Sequence, residues 1–291
     1  MKDELQISVI VPVWNGEKEI RLLLDALSEQ TSPRGSFEII VVDNGSTDET
    51  VSIVERYPFV RLTREGKPGS YAARNHAIRL ARGRFLLFTD ADCIPAKDWV
   101  EKALHYAETF GEKCLIGGMV KMFRTDNAGP FTSRYDALVT GLNQEWNLKN
   151  RLCVTANWLI SRSLIEKIGL FNDTLLSGGD GECAGRIADA GYPLHYAPEM
   201  IVRHPARASL GALVRKKRRV IGGRWQKSKE KSLSSFSKSN LDEYVTQAKW
   251  AKNSGIDTAY KPGVILLIIL IWLVVQLEIA RLRAGGSPYR A

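Results

Sequence analysis

The stretch Ile7-Ser-Val-Ile-Val-Pro-Val-Trp-Asn-Gly-Glu17 decides the class of fold. Its first seven residues are apolar except for Ser8, are rich in β-branched side chains, and run into the turn-forming pair Asn15-Gly16. A short run that is apolar at both odd and even positions predicts a strand buried on both faces. Glu17 to Gln30 follows, with Ile20, Leu23, Leu24 and Leu27 at helical spacing. Phe37 to Val42 repeats the strand pattern and stops at Asp43-Asn44-Gly45, after which Ser46 or Thr47 can cap a helix with Glu49 in its first turn. Val60 to Thr63 predicts a third strand, Ser70 to Ala81 an Ala-rich helix, and Arg84 to Thr89 a fourth strand. This alternation predicts an α/β fold with a mostly parallel sheet flanked by helices. Ligands of such sheets bind beyond the carboxyl ends of the strands, where Trp14, Asn15, Glu17, Asp43, Asp90 and Asp92 fall.

Residues 113–201 are less regular. Cys114 to Phe123 and Leu152 to Ile160 read as strands, and Phe131 to Trp146 and Ser163 to Ile168 as helices. Gly178-Gly179 opens a loop before a helix at about Glu182 to Ala190, and Tyr196 to His204 reads as a last strand. No G-x-G-x-x-G follows the first strand and no Walker A sequence occurs, so the phosphate-cradling glycines of dinucleotide and P-loop sites are missing.

Composition narrows the class further. The 291 residues are 44% hydrophobic and 25% charged, which excludes collagen-like, low-complexity and wholly disordered chains. The net charge of +9 suggests a nucleic-acid binder until it is located. Residues 1–202 carry 23 Lys and Arg against 27 Asp and Glu, whereas residues 203–291 carry 18 against 5. The basic excess is therefore confined to the C-terminal third, and no nucleic-acid module accompanies it. Cys93, Cys114, Cys153 and Cys183 form no C-x-x-C pair or zinc spacing and read as reduced, buried thiols. The acidic start, Met1-Lys-Asp-Glu-Leu5, has no apolar run, so a cytoplasmic N-terminal domain is expected.

Several side chains could carry chemistry, each with a plainer alternative. Asp90 and Asp92, two apart at a strand end, can share a divalent cation and a ribose or phosphate, or simply be turn residues. Asp43 sits at the same edge and can also close an Asx-turn. Asp180, between Gly179 and Gly181, has the freedom a general base needs, and equally suits a helix N-terminus. His204 can ligate a metal or be structural. Arg74 can neutralise a phosphate or lie on a solvated helix face.

Taken in order, Ile7 to Glu17, Val41-Val-Asp-Asn-Gly-Ser-Thr-Asp48, Gly69-Ser-Tyr-Ala-Ala-Arg-Asn75, Phe88-Thr-Asp-Ala-Asp92 and Gly179-Asp-Gly-Glu-Cys-Ala-Gly-Arg186 resemble glycosyltransferase family 2. These are inverting enzymes of GT-A fold, a Rossmann-like sheet with helices on both sides. The resemblance covers residues 5 to 205. It implies that Pro12, Trp14 and Glu17 line a nucleotide pocket, that Asp43 binds the base, commonly uracil, and that Arg74 lies near the base or diphosphate. It implies Asp90 on the ribose, Asp92 on Mg²⁺ or Mn²⁺, Asp180 as general base, and His204 on the metal side. The implied activity is metal-dependent transfer from a nucleotide sugar, a UDP-sugar foremost, to a hydroxyl in cell-surface polysaccharide or glycolipid synthesis.

The chain departs from the family pattern in three places. Gly179-Asp180 stands where two acids are usual, Arg74-Asn-His-Ala77 where Arg-Asn-x-Gly is common, and the Gln-x-x-Arg-Trp of processive members is absent. Transfer of a single sugar is therefore expected. A sugar-nucleotide-forming nucleotidyltransferase would need a Gly-rich basic loop after the first strand, which Trp14-Asn-Gly-Glu17 is not. A non-catalytic binding protein would not need Asp43, Asp90, Asp92 and Asp180 together.

Past the expected catalytic domain, 1–205, a basic, partly amphipathic region is read over 206–262. Within it Arg215-Lys-Lys-Arg-Arg219 is interleaved with apolar residues and suits an anionic lipid surface or a solvated face, and a Ser/Lys stretch runs from Lys227 to Asn240. Residues 263–280 follow as a hydrophobic helix near the lower length limit for crossing a bilayer, and 281–291 as a short tail. A spanning helix is the favoured reading, with a helix buried against the domain or lying in the interface as the alternatives, and the catalytic domain is expected on the cytoplasmic face.

Overall fold

The computed structural model of the chain describes residues 5–139, 141–228 and 233–289. The first four residues, the middle of the Ser/Lys stretch at 229–232 and the last two residues of the tail lie outside the described residues. The chain divides into two compact units. The first comprises Met1–Lys121, Gly141–Thr174 and Gly179–His204; the second comprises Met122–Thr140, Leu175–Gly178 and Pro205–Ala291.

The alternation seen in the sequence is realised as β1 (Ile7–Val13), α1 (Ile20–Ser28), β2 (Phe37–Asp43), α2 (Thr50–Val54), β3 (Val60–Arg64), α3 (Ser70–Leu80) and β4 (Phe85–Phe88). All seven residues of β1 are buried, as expected for a strand covered on both faces. On α1, Ile20, Leu23, Leu24 and Leu27 are fully buried, each contributing about 1.5–3 kcal/mol by leaving water. β1 pairs in parallel with β2 from Ile7↔Phe37 to Val13↔Asp43, and with β4 from Ile7↔Phe85 to Ile10↔Phe88. β4 thus stops three residues short of the end of β1, and residues 89–92 turn across the sheet edge.

Next come β5 (Ile94–Pro95), α4 (Trp99–Phe110), β6 (Leu115–Phe123), α5 (Pro130–Val139), α6 (Gln144–Lys149), β7 (Trp158–Ser161), α7 (Arg162–Ile168), α8 (Gly179–Asp189) and β8 (Leu194–Pro205). The strands form one eight-stranded sheet in the order β3-β2-β1-β4-β7-β6-β8-β5. It is mixed rather than mostly parallel: β3, β2, β1 and β4 run together, while the β4–β7, β6–β7 and β5–β8 pairs are antiparallel. Hydrophobic periodicity finds strands but carries no information on their direction.

Three local expectations shift. The helix read over Phe131 to Trp146 is two helices, because Gly141 turns the chain at φ +75° and Asn143 caps α6 through the Trp146 amide. The strand read over Leu152 to Ile160 is confined to its last residues. Ahead of β7, the Gln144 side chain donates to the carbonyls of Val154 and Asn157 and accepts from the Val154 amide, taking the place of a neighbouring strand. Finally, α8 begins at Gly179, so Asp180 sits in its first turn rather than in a loop.

The second unit holds α5 with α9 (Leu210–Ser228), α10 (Leu233–Asn253) and α11 (Lys261–Arg283). Its core gathers Tyr135, Leu213, Ile221 and Tyr244 against Val264, Leu267, Ile268, Ile271, Val275, Ile279 and Leu282 of α11. The basic run is largely used inside this unit: Lys216 pairs with Asp136, Lys217 with Glu243 and Arg218 with Glu278. All four cysteines are free and buried.

Candidate active site

The loops after β1 and β2 are stitched together. Asn15, held at φ +50°, accepts from the Thr47 amide at 2.8 Å, and its own amide donates to Ser46 Oγ at 2.8 Å. The Gly16 amide donates to Thr50 Oγ1 at 2.8 Å. Glu17 accepts from the Glu49 amide at 3.3 Å, beside the first turn of α2. Asp43 is buried and accepts from the amides of Gly45 and Ser46 at 3.3 and 3.1 Å, so the Asx-turn weighed above is real. Pro12 is buried in β1 opposite Val42, and Trp14 stands 42% exposed just past the strand end.

The N-terminus of α3 is fixed by a residue the sequence reading did not single out. Asn44 Nδ2 donates to the carbonyls of Glu65 and Lys67, and Asn44 Oδ1 accepts from the Gly69 amide at 2.6 Å. Arg74, on α3, is only 3% exposed and donates to Asp90 Oδ1 at 2.5 Å. It is therefore no solvated helix face. Its Nε is buried with no hydrogen-bond partner among the described residues. One residue further on, Asn75 exchanges hydrogen bonds with the Phe171 backbone, tying α3 to the chain that leads to α8.

Asp92 and His204 meet because β5 pairs with β8 at Ile94↔Arg203. His204 Nε2 lies 3.5 Å from Asp92 Oδ2. One ligand atom each of Asp92, Cys93 and His204 falls within 4.8 Å of the others. Burial, then the charges of Asp92 and Asp90, push the Cys93 thiol well up, so it stays protonated. Burial and then Asp92 also raise the Glu19 carboxyl, which marks a concentration of negative charge that a cation would relieve.

Asp180 is half-buried at the start of α8. Its Oδ1 accepts from Tyr71 Oη at 3.2 Å and from the Gly181 amide at 2.9 Å. Arg186, six residues on, grips Glu182 and the carbonyls of Ile168, Gly169 and Leu170, a structural role that fixes α8. Tyr71 joins this group to the Arg74–Asp90 pair, since the Arg74 guanidinium lies 5.8 Å from its ring centre. The expected residues thus fall into neighbouring sets: Trp14, Glu17 and Asp43 on the first loops, Arg74 with Asp90, Asp92 with His204, and Asp180 with Tyr71.

The sequence profile of Glycosyl transferase family 2 matches residues 8–169, more than half of the chain. The chain belongs to glycosyl transferase family 2. Among similar family 2 proteins, Glycosyltransferase AglE of Haloferax volcanii is 36% identical over 225 residues, covering 76% of this chain and 73% of that protein. Poly(ribitol-phosphate) beta-N-acetylglucosaminyltransferase TarS of Staphylococcus aureus is 40% identical over 119 residues, 38% of this chain but 20% of its own length. Among solved structures, the mannosyltransferase PcManGT of Pyrobaculum calidifontis in complex with GDP-Man and Mn²⁺ superposes with a TM-score of 0.58 at 22% identity, covering 97% of this chain and 76% of that one. S. aureus TarS 1-349 in complex with UDP gives 0.54 at 18% identity, covering 97% and 92%. The fold is GT-A, and the chain is a glycosyltransferase.

Proposed function

We propose that this family 2 enzyme moves one sugar from a nucleoside-diphosphate sugar, a UDP-sugar foremost, to a hydroxyl of a glycan or lipid-linked acceptor in cell-surface polysaccharide or glycolipid synthesis, inverting the anomeric centre. One observation carries the reading: the pair of buried Arg74 with half-buried Asp90, the Asp92–His204 pair and Asp180 are all set by the ends of strands in one sheet or by the helices beside it, with Tyr71 linking Arg74 to Asp180. The acceptors and donors of relatives support it. TarS is named for sugar transfer to poly(ribitol-phosphate), and solved neighbours hold UDP-GlcNAc or GDP-Man with Mn²⁺.

A carboxylate and an imidazole 3.5 Å apart, beside further negative charge, fit Mn²⁺ or Mg²⁺, with Asp92 and His204 as the holding residues. A divalent ion bound there supplies Lewis-acid stabilisation of the charge developing on the leaving diphosphate. The chain's own residues do the rest. Pro12, Trp14, Glu17 and Asp43 cradle the base, and Arg74 orients Asp90 toward the ribose while adding positive charge. Asp180 takes the acceptor hydroxyl's proton as that oxygen bonds to the anomeric carbon and the bond to the diphosphate oxygen breaks. A single displacement inverts the carbon.

The second unit supports a membrane-surface location. Among the described residues, α11 is the one helix long and apolar enough to cross a bilayer. Its buried positions nevertheless run from Val264 to Leu282 against α5, α9 and α10, and Glu278 is buried between Arg218 and Arg281. Its other face, Leu266, Ile269, Leu270, Leu273 and Leu277, is exposed. This arrangement favours α11 lying in the cytoplasmic interface with that face in lipid over crossing it, since the charged α9 cannot accompany it into hydrocarbon.

The test is nucleoside diphosphate release from a panel of UDP-, GDP- and dTDP-sugars, with and without EDTA. We expect metal-dependent release from at least one donor, and loss of acceptor transfer by at least a hundredfold in a folded Asp180→Asn variant. Near-normal turnover in that variant removes Asp180 as the base.

A further inference from the structure

We infer that Tyr71 is a positioning residue for the base: its hydroxyl holds one carboxylate oxygen of Asp180 so that the other is presented to the acceptor. The inference rests on Asp180 being the base. The two oxygens of Asp180 are unequal. Oδ1 accepts from both Tyr71 Oη and the Gly181 amide, whereas no hydrogen bond reaches Oδ2 among the described residues. A base needs this asymmetry, with one oxygen locked and the other open to the proton.

The phenol is built into place. Tyr71 is 5% exposed, and its ring stacks on Phe171 at 5.8 Å between centres and 28° between planes. Phe171 is itself packed edge-on by Phe88 and Trp158. On the other side, a Cβ at Gly179 would stand 2.8 Å from the Tyr71 ring. The glycine that replaces the first acid of the family pattern is thus the residue that admits the ring. Burial, then the charge of Asp180, push the phenol well above its ordinary range, so it is a donor at any pH where the enzyme works. It neither gives up nor takes a proton during transfer. Because Arg74 lies one turn further along α3, the same helix sets the distance between the donor side and the base.

Tyr71→Phe keeps the ring and deletes the hydroxyl, so the packing survives. We expect kcat to fall about ten- to a hundredfold with donor KM within about twofold of the parent. The acid limb of kcat against pH should move upward, because the ionised carboxylate has lost a donor. Gly179→Ala, which displaces the ring, should lower kcat similarly, and the double variant should add little to either single one. Asp180→Asn is measured alongside. Full kcat and an unmoved acid limb in Tyr71→Phe, with Asp180→Asn inactive, overturn the role of Tyr71 and leave Asp180 as the base. A rise in donor KM with kcat intact overturns it too, placing the hydroxyl in donor binding. Full activity in Asp180→Asn overturns the base assignment itself, and the inference with it.

Discussion

Asp92 shows what a single residue of the site is asked to do. It shares a 4.8 Å cluster with His204 and Cys93, groups that could hold a cation. Binding that favours the folded state raises the unfolding midpoint in proportion to the logarithm of ligand concentration over Kd. Adding Mn²⁺ with UDP should therefore raise the parent's midpoint by several degrees, and Asp92→Asn should lose most of that rise while its metal-free midpoint stays put. An equal rise in the variant would take Asp92 out of the metal site. The four aspartates of interest were legible because each follows a buried strand or lies between glycines. Tyr71, Asn44 and Asn75 were not, because they act through other residues; the partner of the Tyr71 hydroxyl is 109 positions away in the chain.

At the scale of elements, α11 is where composition and packing say different things. From Gly263 to Val275 its sequence is apolar on every side, and only the tertiary structure separates the face spent on α5, α9 and α10 from the face left over. Leu277 is the most exposed of that remaining face, at 71%. Replacing Leu273 and Leu277 together by Glu should abolish co-sedimentation with anionic vesicles and leave the unfolding midpoint within a few degrees, since neither side chain belongs to the core. Undiminished vesicle binding would rule out this face. The first four strands and three helices were readable because each is a short apolar run or stripe bounded by turn residues. The segment ahead of β7 was not, since a glutamine side chain supplies its backbone partners and leaves no periodic trace. The helix α4 was missed for another reason: only Trp99, Val100, Ala103 and Ala107 of its twelve residues are buried, and two of those are alanines that leave a thin apolar stripe.

Over the whole molecule, charge is arranged by unit. Asp136 is 1% exposed and answers both Arg207 and Lys216. Burial pushes its carboxyl up, but Lys216 and Arg207 outweigh that and hold it below the usual carboxylate range. A carboxyl with a lower value folded than unfolded adds stability that is complete above about pH 4 to 5 and is lost as the pH falls toward the folded value. Asp136→Asn should thus cost about 3–5 kcal/mol at neutral pH, because Arg207 and the buried Lys216, whose amine burial already lowers to about 7, lose their counter-charge, and its stability should lose less than the parent's on acidification below about pH 4. Equal acid sensitivity in the two proteins would locate the effect elsewhere. The arrangement also bears on how this enzyme can be trimmed. The second unit is assembled from three separated stretches of chain, and Asp136 belongs to the earliest of them while both its cations belong to the last. Cutting the gene after residue 205 to obtain a shorter catalytic fragment would leave α5 behind with its carboxylate stripped of both cations and an apolar face stripped of its cover. Solubility is better sought by recolouring the outer side of α11 than by shortening the protein.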